Sequence, residues 1–223
     1  MSRRGGTRAI IREASATFVD CGSEKLYITY SLDWSEILWG SERDGWNHLY
    51  LYDAATGRHS QVTRGEWVVR SVEHIDWNTR QVWVKAFGVV PEQDPYYAHL
   101  VCIRLDGSDL VVLTEGDGTH TCNWSPSRRW LIDTWSRVDQ LPVTALRDGE
   151  TGHLILELEG DRTPELVRSG FRLPERFIMI GRDRETPIYG IIVSPQHLIS
   201  PRLDIPSILL TMALLPSPSM AWE

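Results

Sequence analysis

The chain has 223 residues, 42% of them hydrophobic and 24% charged, which is enough for a sizeable core and excludes a disordered polymer. Its net charge of −7 excludes a partner held mainly through nucleic-acid phosphates. Cys21, Cys102 and Cys122 are odd in number and lack C-x-x-C spacing, which argues against a disulfide framework or a cysteine metal site and fits buried thiols in a reducing compartment.

Residues 1–15 carry Arg3, Arg4, Arg8 and Arg12 and read as a polar, disordered tail. No apolar run of the roughly 7–15 residues of a secretory signal follows them. The longest apolar stretch, Ile205–Pro216, is interrupted by Pro206 and falls short of the roughly 20 residues that span a bilayer. The cytoplasm is therefore the expected location, with no membrane span. Ala16–Asp20 and Lys25–Tyr30 are short strand candidates. Glu36–Glu42 reads as a strand and Asp44-Gly45 as a tight turn. His48–Asp53 then alternates, with Leu49 and Leu51 on one face and Tyr50 and Tyr52 on the other, the period of a strand.

This unit recurs. His48-Leu49 and Thr63 coincide with His99-Leu100 and Thr114 at an offset of 51. Asp53-Ala-Ala-Thr-Gly57 coincides with Asp148-Gly-Glu-Thr-Gly152 at an offset of 95. A pair of aromatic-rich strands precedes each copy: Tyr30–Asp33 with Ile37–Ser41, Val68–Asp76 with Gln81–Phe87, and His120–Trp124 with Trp130–Trp135. Four short strands in about 40–50 residues is the period of propeller blades. Three units are expected, over 27–63, 66–114 and 119–159. Most of the ten tryptophans are expected in the core, with Trp39, Trp83, Trp124 and Trp135 between blades. A closed propeller typically has about 4–8 blades, so three leave open edges that call for a further domain or self-association. After Glu159, Gly170–Glu175 reads as a crossing loop. Arg176–Asp183 and Pro187–Pro195 form an apolar hairpin pair, and Pro201–Leu210 starts another strand.

Several words resemble the propeller of dipeptidyl peptidase IV and its relatives in the prolyl oligopeptidase family of serine peptidases. They are SERDGWNHLYLYD (41–53), TRGEWVVR (63–70), DPYY (94–97), LTEGDGTH (113–120), IDTWSRVD (132–139), LRD (146–148) and PERF (174–177), in family order. GRDRETPIYGIIVSP (181–195) and the stretch from Ile205 resemble the family's passage into its α/β-hydrolase domain. The resemblance implies an all-β partial propeller of about three four-stranded antiparallel blades over 16–160, the start of a hydrolase domain over 171–210, and an unrelated tail over 211–223. It implies proteolysis by a serine-type dipeptidyl peptidase acting on peptide substrates.

The catalytic machinery of that family is not placed here. There is no G-x-S-x-G, no Glu-Glu pair to hold a substrate amine, and no Tyr in 211–223. The chain thus reads as the substrate-gating region of such a peptidase, ending before the triad and inactive alone. The alternative reading is a non-catalytic propeller module for protein interaction. No catalytic, cofactor-binding or metal-ligating residue is assigned, and no cofactor is implied. The family's usual Ser-Pro-Asp-Gly turn is Ser125-Pro-Ser-Arg128 here, which makes the turn harder to form.

Among the polar residues, His48 and His99 occupy equivalent repeat positions and are expected to be structural. His120 either lines a pore or makes a loop hydrogen bond. Asp133 and Asp139 are either a carboxylate pair for hydrolysis or strand-end salt-bridge partners, the second being expected. Glu42-Arg43-Asp44 reads as a solvated turn. Tyr96 and Tyr97 either face a channel or pack within a blade.

Overall fold

Turns in this chain are built from one recurring device, a carboxylate folded back onto the next few donors. Asp53 Oδ1 accepts from the Thr56 backbone N–H at 2.6 Å and its hydroxyl at 2.8 Å. Asp148 Oδ1 accepts from the Thr151 N–H and hydroxyl, both at 2.9 Å. Gly57 and Gly152 follow at φ of 75° and 74°, the left-handed conformation that glycine adopts without a Cβ penalty. The 95-residue repeat is therefore a repeated turn. Hydrogen bonds from Thr56 and Thr151 hold both carboxyls below the ordinary carboxylate range.

The computed structural model describes residues 7–15, 18–19 and 27–194. Most of the candidate strand Ala16–Asp20, together with Cys21, Pro201–Leu210 and the tail 211–223, lies outside the described residues.

Three four-stranded antiparallel sheets follow, each in sequence order. Sheet 1 comprises β1 (Ile28–Tyr30), β2 (Glu36–Ser41), β3 (His48–Asp53) and β4 (His59–Gln61). Sheet 2 comprises β5 (Val68–Asp76), β6 (Gln81–Phe87), β7 (Ala98–Arg104) and β8 (Val111–Val112). Sheet 3 comprises β9 (Thr119–Trp124), β10 (Trp130–Arg137), β11 (Gln140–Asp148) and β12 (Leu154–Glu159). A short helix α1 (Thr163–Arg168) and a hairpin of β13 (Glu175–Ile180) and β14 (Pro187–Ile192) follow among the described residues. The expected strand at Tyr30–Asp33 is instead a turn after β1. Asp33 Oδ1 accepts from the Ser31 hydroxyl at 2.7 Å and the Ser35 N–H at 3.1 Å, which closes the backbone on itself.

The chain divides into two compact units, residues 1–91 with 98–113, and residues 92–97 with 114–223. In the first, the two faces of β3 are buried against different neighbours. Leu49 and Leu51, with Leu38 and Val62, pack on Val82, Val84, Val101 and Ile103 of sheet 2. Tyr50 and Tyr52, with Ile37, pack on Ile10 and Ile11. Residues 8–13, within the stretch that reads as a tail, thus run along sheet 1. Arg8 Nη2 donates to the Ala54 and Ala55 carbonyls at 2.9 and 2.6 Å, and Trp39 Nε1 donates to Glu13 Oε1 at 2.8 Å.

In the second unit, alternation splits sheet 3 into two faces. Leu131, Asp133, Val143, Ala145 and Arg147 are buried on one, and Trp130 and Ile132 are exposed on the other. Ten tryptophans less Trp222, which is outside the described residues, leave nine, and of these only Trp67 is buried. Trp39, Trp83, Trp124 and Trp135 are half-buried rather than buried. The indole is long and its N–H seeks a polar partner, as Trp39 Nε1 finds in Glu13 at the margin of sheet 1.

Candidate functional site

Three polar clusters have the residue types of a site, one in the first unit and two in the second. In the first unit, His48 is buried at the start of β3. Its Nε2 donates to the Gly65 carbonyl at 3.0 Å, and its Nδ1 accepts from the Thr63 hydroxyl at 3.0 Å. That hydroxyl accepts in turn from the Leu49 N–H at 2.8 Å. The neutral ring is therefore satisfied at both nitrogens. Burial pushes its pKa below the ordinary 6.5, against smaller opposing effects of the Gly65 carbonyl and Asp44. Gly65 has φ of 128°, and a Cβ there would lie 2.7 Å from Trp67 Nε1. His99 and Thr114, at the equivalent repeat positions, are 2% exposed each. The structural expectation for His48 holds.

In the second unit, β9, β10 and β11 bring together His120, Asp133 and Arg147, all on the buried face of sheet 3. His120 Nδ1 is 2.7 Å from Asp133 Oδ1, and Arg147 Nε donates to Asp133 Oδ2 at 2.8 Å. Arg147 Nη1 also donates to the Gly152 carbonyl at 3.1 Å, and Nη2 to the Glu115 carbonyl at 3.2 Å. The Trp135 ring stacks on the imidazole at 5.7 Å, and the guanidinium lies 5.6 Å from the same ring. Gly116 repeats the geometry of Gly65: φ is 113°, and a Cβ would lie 2.6 Å from Trp135 Nε1.

An imidazole on a carboxylate is the base-and-orienter half of a catalytic triad. Here, however, Nε2 faces the Gly116 carbonyl at 3.2 Å, where a nucleophile's hydroxyl would have to stand. The His120 side chain is 1% exposed and that of Asp133 0%, so no substrate atom reaches them. The cluster fixes the blade. His120 makes its loop hydrogen bond and does not line a pore.

The third cluster is half-exposed and lies around β13. Arg176 Nε donates to Asp139 Oδ2 at 3.0 Å, and its Nη1 donates to the Tyr97 hydroxyl at 2.7 Å. Arg137 Nε donates to Asp139 Oδ1 at 3.0 Å, and its Nη1 pairs with Asp117. Asp133 and Asp139 are thus not brought together as a hydrolytic pair, and each serves a different ion-pair network. Tyr96 packs edge-on to Tyr189 at 6.1 Å, and its hydroxyl is buried without a hydrogen-bond partner. Burial, with Asp94 adding to it, pushes Tyr96 up to about 12. Burial also raises Asp94 and Tyr97, with Arg176 opposing in both.

Arg43 is not the solvated turn residue expected of Glu42-Arg43-Asp44. Its guanidinium lies 4.4 Å over the Tyr50 ring and pairs with Glu13. An open groove of about 520 Å³ lies beside α1, lined by Leu141, Pro142, Leu166, Glu159, Arg162 and Glu165. Among the described residues no three His, Cys, Asp or Glu side chains converge on a metal position.

A family model described as the dipeptidyl peptidase IV N-terminal region matches residues 2–142, more than half of the chain. The chain belongs to that family. Its fold is all-β, a partial propeller of three four-stranded antiparallel sheets. Among similar solved structures is a dipeptidyl aminopeptidase IV candidate from Bacteroides ovatus ATCC 8483, at 19% identity and a TM-score of 0.59, covering 76% of this chain and 26% of that one. Another is dipeptidyl peptidase 4 of Porphyromonas gingivalis, at 22% identity and a TM-score of 0.58, covering 75% of this chain and 23% of that one. The chain spans about a quarter of the length of each.

Within this dipeptidyl peptidase IV N-terminal framework, the family words sort into strands and turns. IDTWSRVD forms β10 and its turn, and LRD carries the buried Arg147 at the end of β11. Arg147, Arg176, Asp94, Asp117 and Tyr189 were not foreseen as cluster members. Arg147 carried a signal: Val143, Ala145 and Arg147 share one face by alternation, and two of the three are apolar.

Proposed function

We propose that residues 16–160 form part of the wall of a substrate chamber in a dipeptidyl peptidase IV-like serine peptidase, and that residues 171–210 begin its hydrolase domain. In this reading the substrates are peptides, the process is proteolysis, the location is the cytoplasm, and the open blade edges are covered by a further domain or by self-association. The observation that carries it is the match to the family's N-terminal region over three consecutive four-stranded sheets. The β13–β14 hairpin supports the domain passage, pairing Glu175–Ile180 with Pro187–Ile192 where the hydrolase entry is expected. Among the described residues no helix is long and apolar enough to cross a membrane.

The wall positions substrate and does not react with it. Acyl transfer needs a nucleophile with a base, and the imidazole–carboxylate pair found here is sealed off. The test is a chimera in which residues 27–159 replace the corresponding blades of the Porphyromonas gingivalis enzyme. Hydrolysis of a Gly-Pro reporter by the chimera supports the reading. A chimera that melts cooperatively yet shows no turnover counts against it and favours an interaction module. The 223-residue chain alone is expected to give no turnover, and turnover blocked by a serine-directed organophosphonate would overturn that.

A further inference from the structure

The two faces of sheet 1 differ in chemistry. The face toward sheet 2 is aliphatic, built on Leu38, Leu49 and Leu51. The opposite face carries Ile37, Trp39, Tyr50 and Tyr52, with the Arg43 guanidinium over the two tyrosine rings at 4.4 and 5.7 Å. His59 stacks on Tyr52 at 4.7 Å. Tryptophan, tyrosine and arginine dominate the energetics of protein–protein contacts, because each joins a broad apolar body to a polar tip.

Residues 8–13, which lie on this aromatic face, belong to no helix or strand. At one end Arg8 donates to the Ala54 and Ala55 carbonyls, just past β3. Ile10 and Ile11 then pack on Ile37, Tyr50 and Tyr52. At the other end Glu13 accepts from Trp39 Nε1 and pairs with Arg43, which precedes β3. The segment therefore runs antiparallel to β3 along the face, and five steps of about 3.3 Å match the length of that strand. Ala9 and Arg12 are exposed. Carbonyls thus meet a cation, aromatic faces meet two adjacent isoleucines, and an indole N–H with a guanidinium meets a carboxylate. Reading alternate features of one laid-down segment is how peptide-recognition surfaces work.

We propose that the aromatic face of sheet 1 is a binding site for a peptide segment of the pattern Arg-x-Ile-Ile-x-Glu, and that residues 8–13 fill it in cis as a displaceable strap. The ligand class is a peptide with a basic residue, two adjacent apolar residues and an acid at that spacing. The site goes beyond the proposed function and does not rest on it. Peptide binding is read without any peptidase assay, so either can fail alone.

The experiment is fluorescence anisotropy of a fluorescein-labelled peptide of residues 7–15 against the full 223-residue chain. Ile10→Asp with Ile11→Asp in the chain withdraws the strap. The peptide should bind this double variant saturably, and the wild-type chain at least tenfold more weakly, because the tethered strap competes at high effective concentration. A peptide carrying Glu13→Ala should bind the double variant at least tenfold more weakly, as should the unaltered peptide once Arg43→Ala is added to the chain. Glu13→Ala in an otherwise wild-type chain leaves Ile10 and Ile11 in place and should raise peptide affinity several-fold. A double variant that melts cooperatively yet binds no peptide overturns the proposal. So does equal binding to the double variant and the wild-type chain, or no gain with Glu13→Ala. Loss of cooperative melting in the double variant overturns it too, because residues 8–13 would then be core and not a ligand.

Discussion

The His120 imidazole and the Asp133 carboxylate meet at 2.7 Å with neither side chain open to solvent. Arg147 closes the other side of the same carboxylate. The three therefore stand or fall together, because a buried ion that loses its partner keeps its desolvation cost. Asp133→Ala should lower unfolding stability by about 3–5 kcal/mol in urea titration of a two-state background. A loss below about 1 kcal/mol would show the cluster to be wetter than described.

Glycine substitutions separate backbone strain from steric clash. Gly116 and Gly170 both have positive φ, at 113° and 93°. A Cβ at Gly116 meets Trp135 Nε1 at 2.6 Å, whereas at Gly170 nothing lies within 4 Å. Gly170→Ala should cost about 1 kcal/mol from conformation alone, and Gly116→Ala roughly 2 kcal/mol more. Equal melting shifts for the two variants would refute the close approach.

The third blade carries a correctable fault at Arg128. It sits at φ of 55° in the turn closed by its N–H on the Ser125 carbonyl at 2.9 Å, and its Nη1 is buried without a hydrogen bond. Arg128→Gly should raise stability by about 1 kcal/mol, since a left-handed conformation costs an L-residue roughly that much. The stacking of the guanidinium over Trp124 at 5.5 Å opposes the gain. Thermal unfolding of the variant decides, and a lower melting temperature would mean that the stacking dominates.

Acid sensitivity follows from His48. Its folded pKa lies below the ordinary 6.5, so above that pH both states are neutral and the full stability is present. As pH falls through 6.5 the unfolded chain takes up a proton that the folded chain refuses, and stability declines toward the lowered folded pKa. Unfolding free energy measured from pH 7.5 to 5.5 should therefore fall more steeply for the wild-type chain than for His48→Gln. Parallel profiles would place the effect on other groups.

The strand framework was readable where local rules and packing agree. His48–Asp53 alternates because its two faces meet two different apolar neighbours, and the repeated D-x-x-T-G writes out a turn in full. The N-terminal segment was misread because four arginines outweigh Ile10 and Ile11 in composition, although those two carry the packing. The helix α1 has six residues, with no buried side chain and no side-chain cap, so no apolar period announces it. The candidate site was less legible. His120 and Asp133 were noticed singly, but the register that joins them to Arg147 is a three-strand property. Arg176 reaches Tyr97 over 79 positions of sequence, and no local pattern encodes that.

Every strand of the three sheets pairs only with its neighbours in sequence. Each sheet can consequently zip up from its own turns, without waiting for a distant part of the chain, and loop-closure entropy is kept small at every step. During synthesis, sheet 1 would be complete once Gln61 has emerged, and its Leu38–Leu51 face would then stay exposed until sheet 2 followed. The order of translation is thus also an order of shelter: the apolar face of sheet 1 waits in solvent for the blade that follows it.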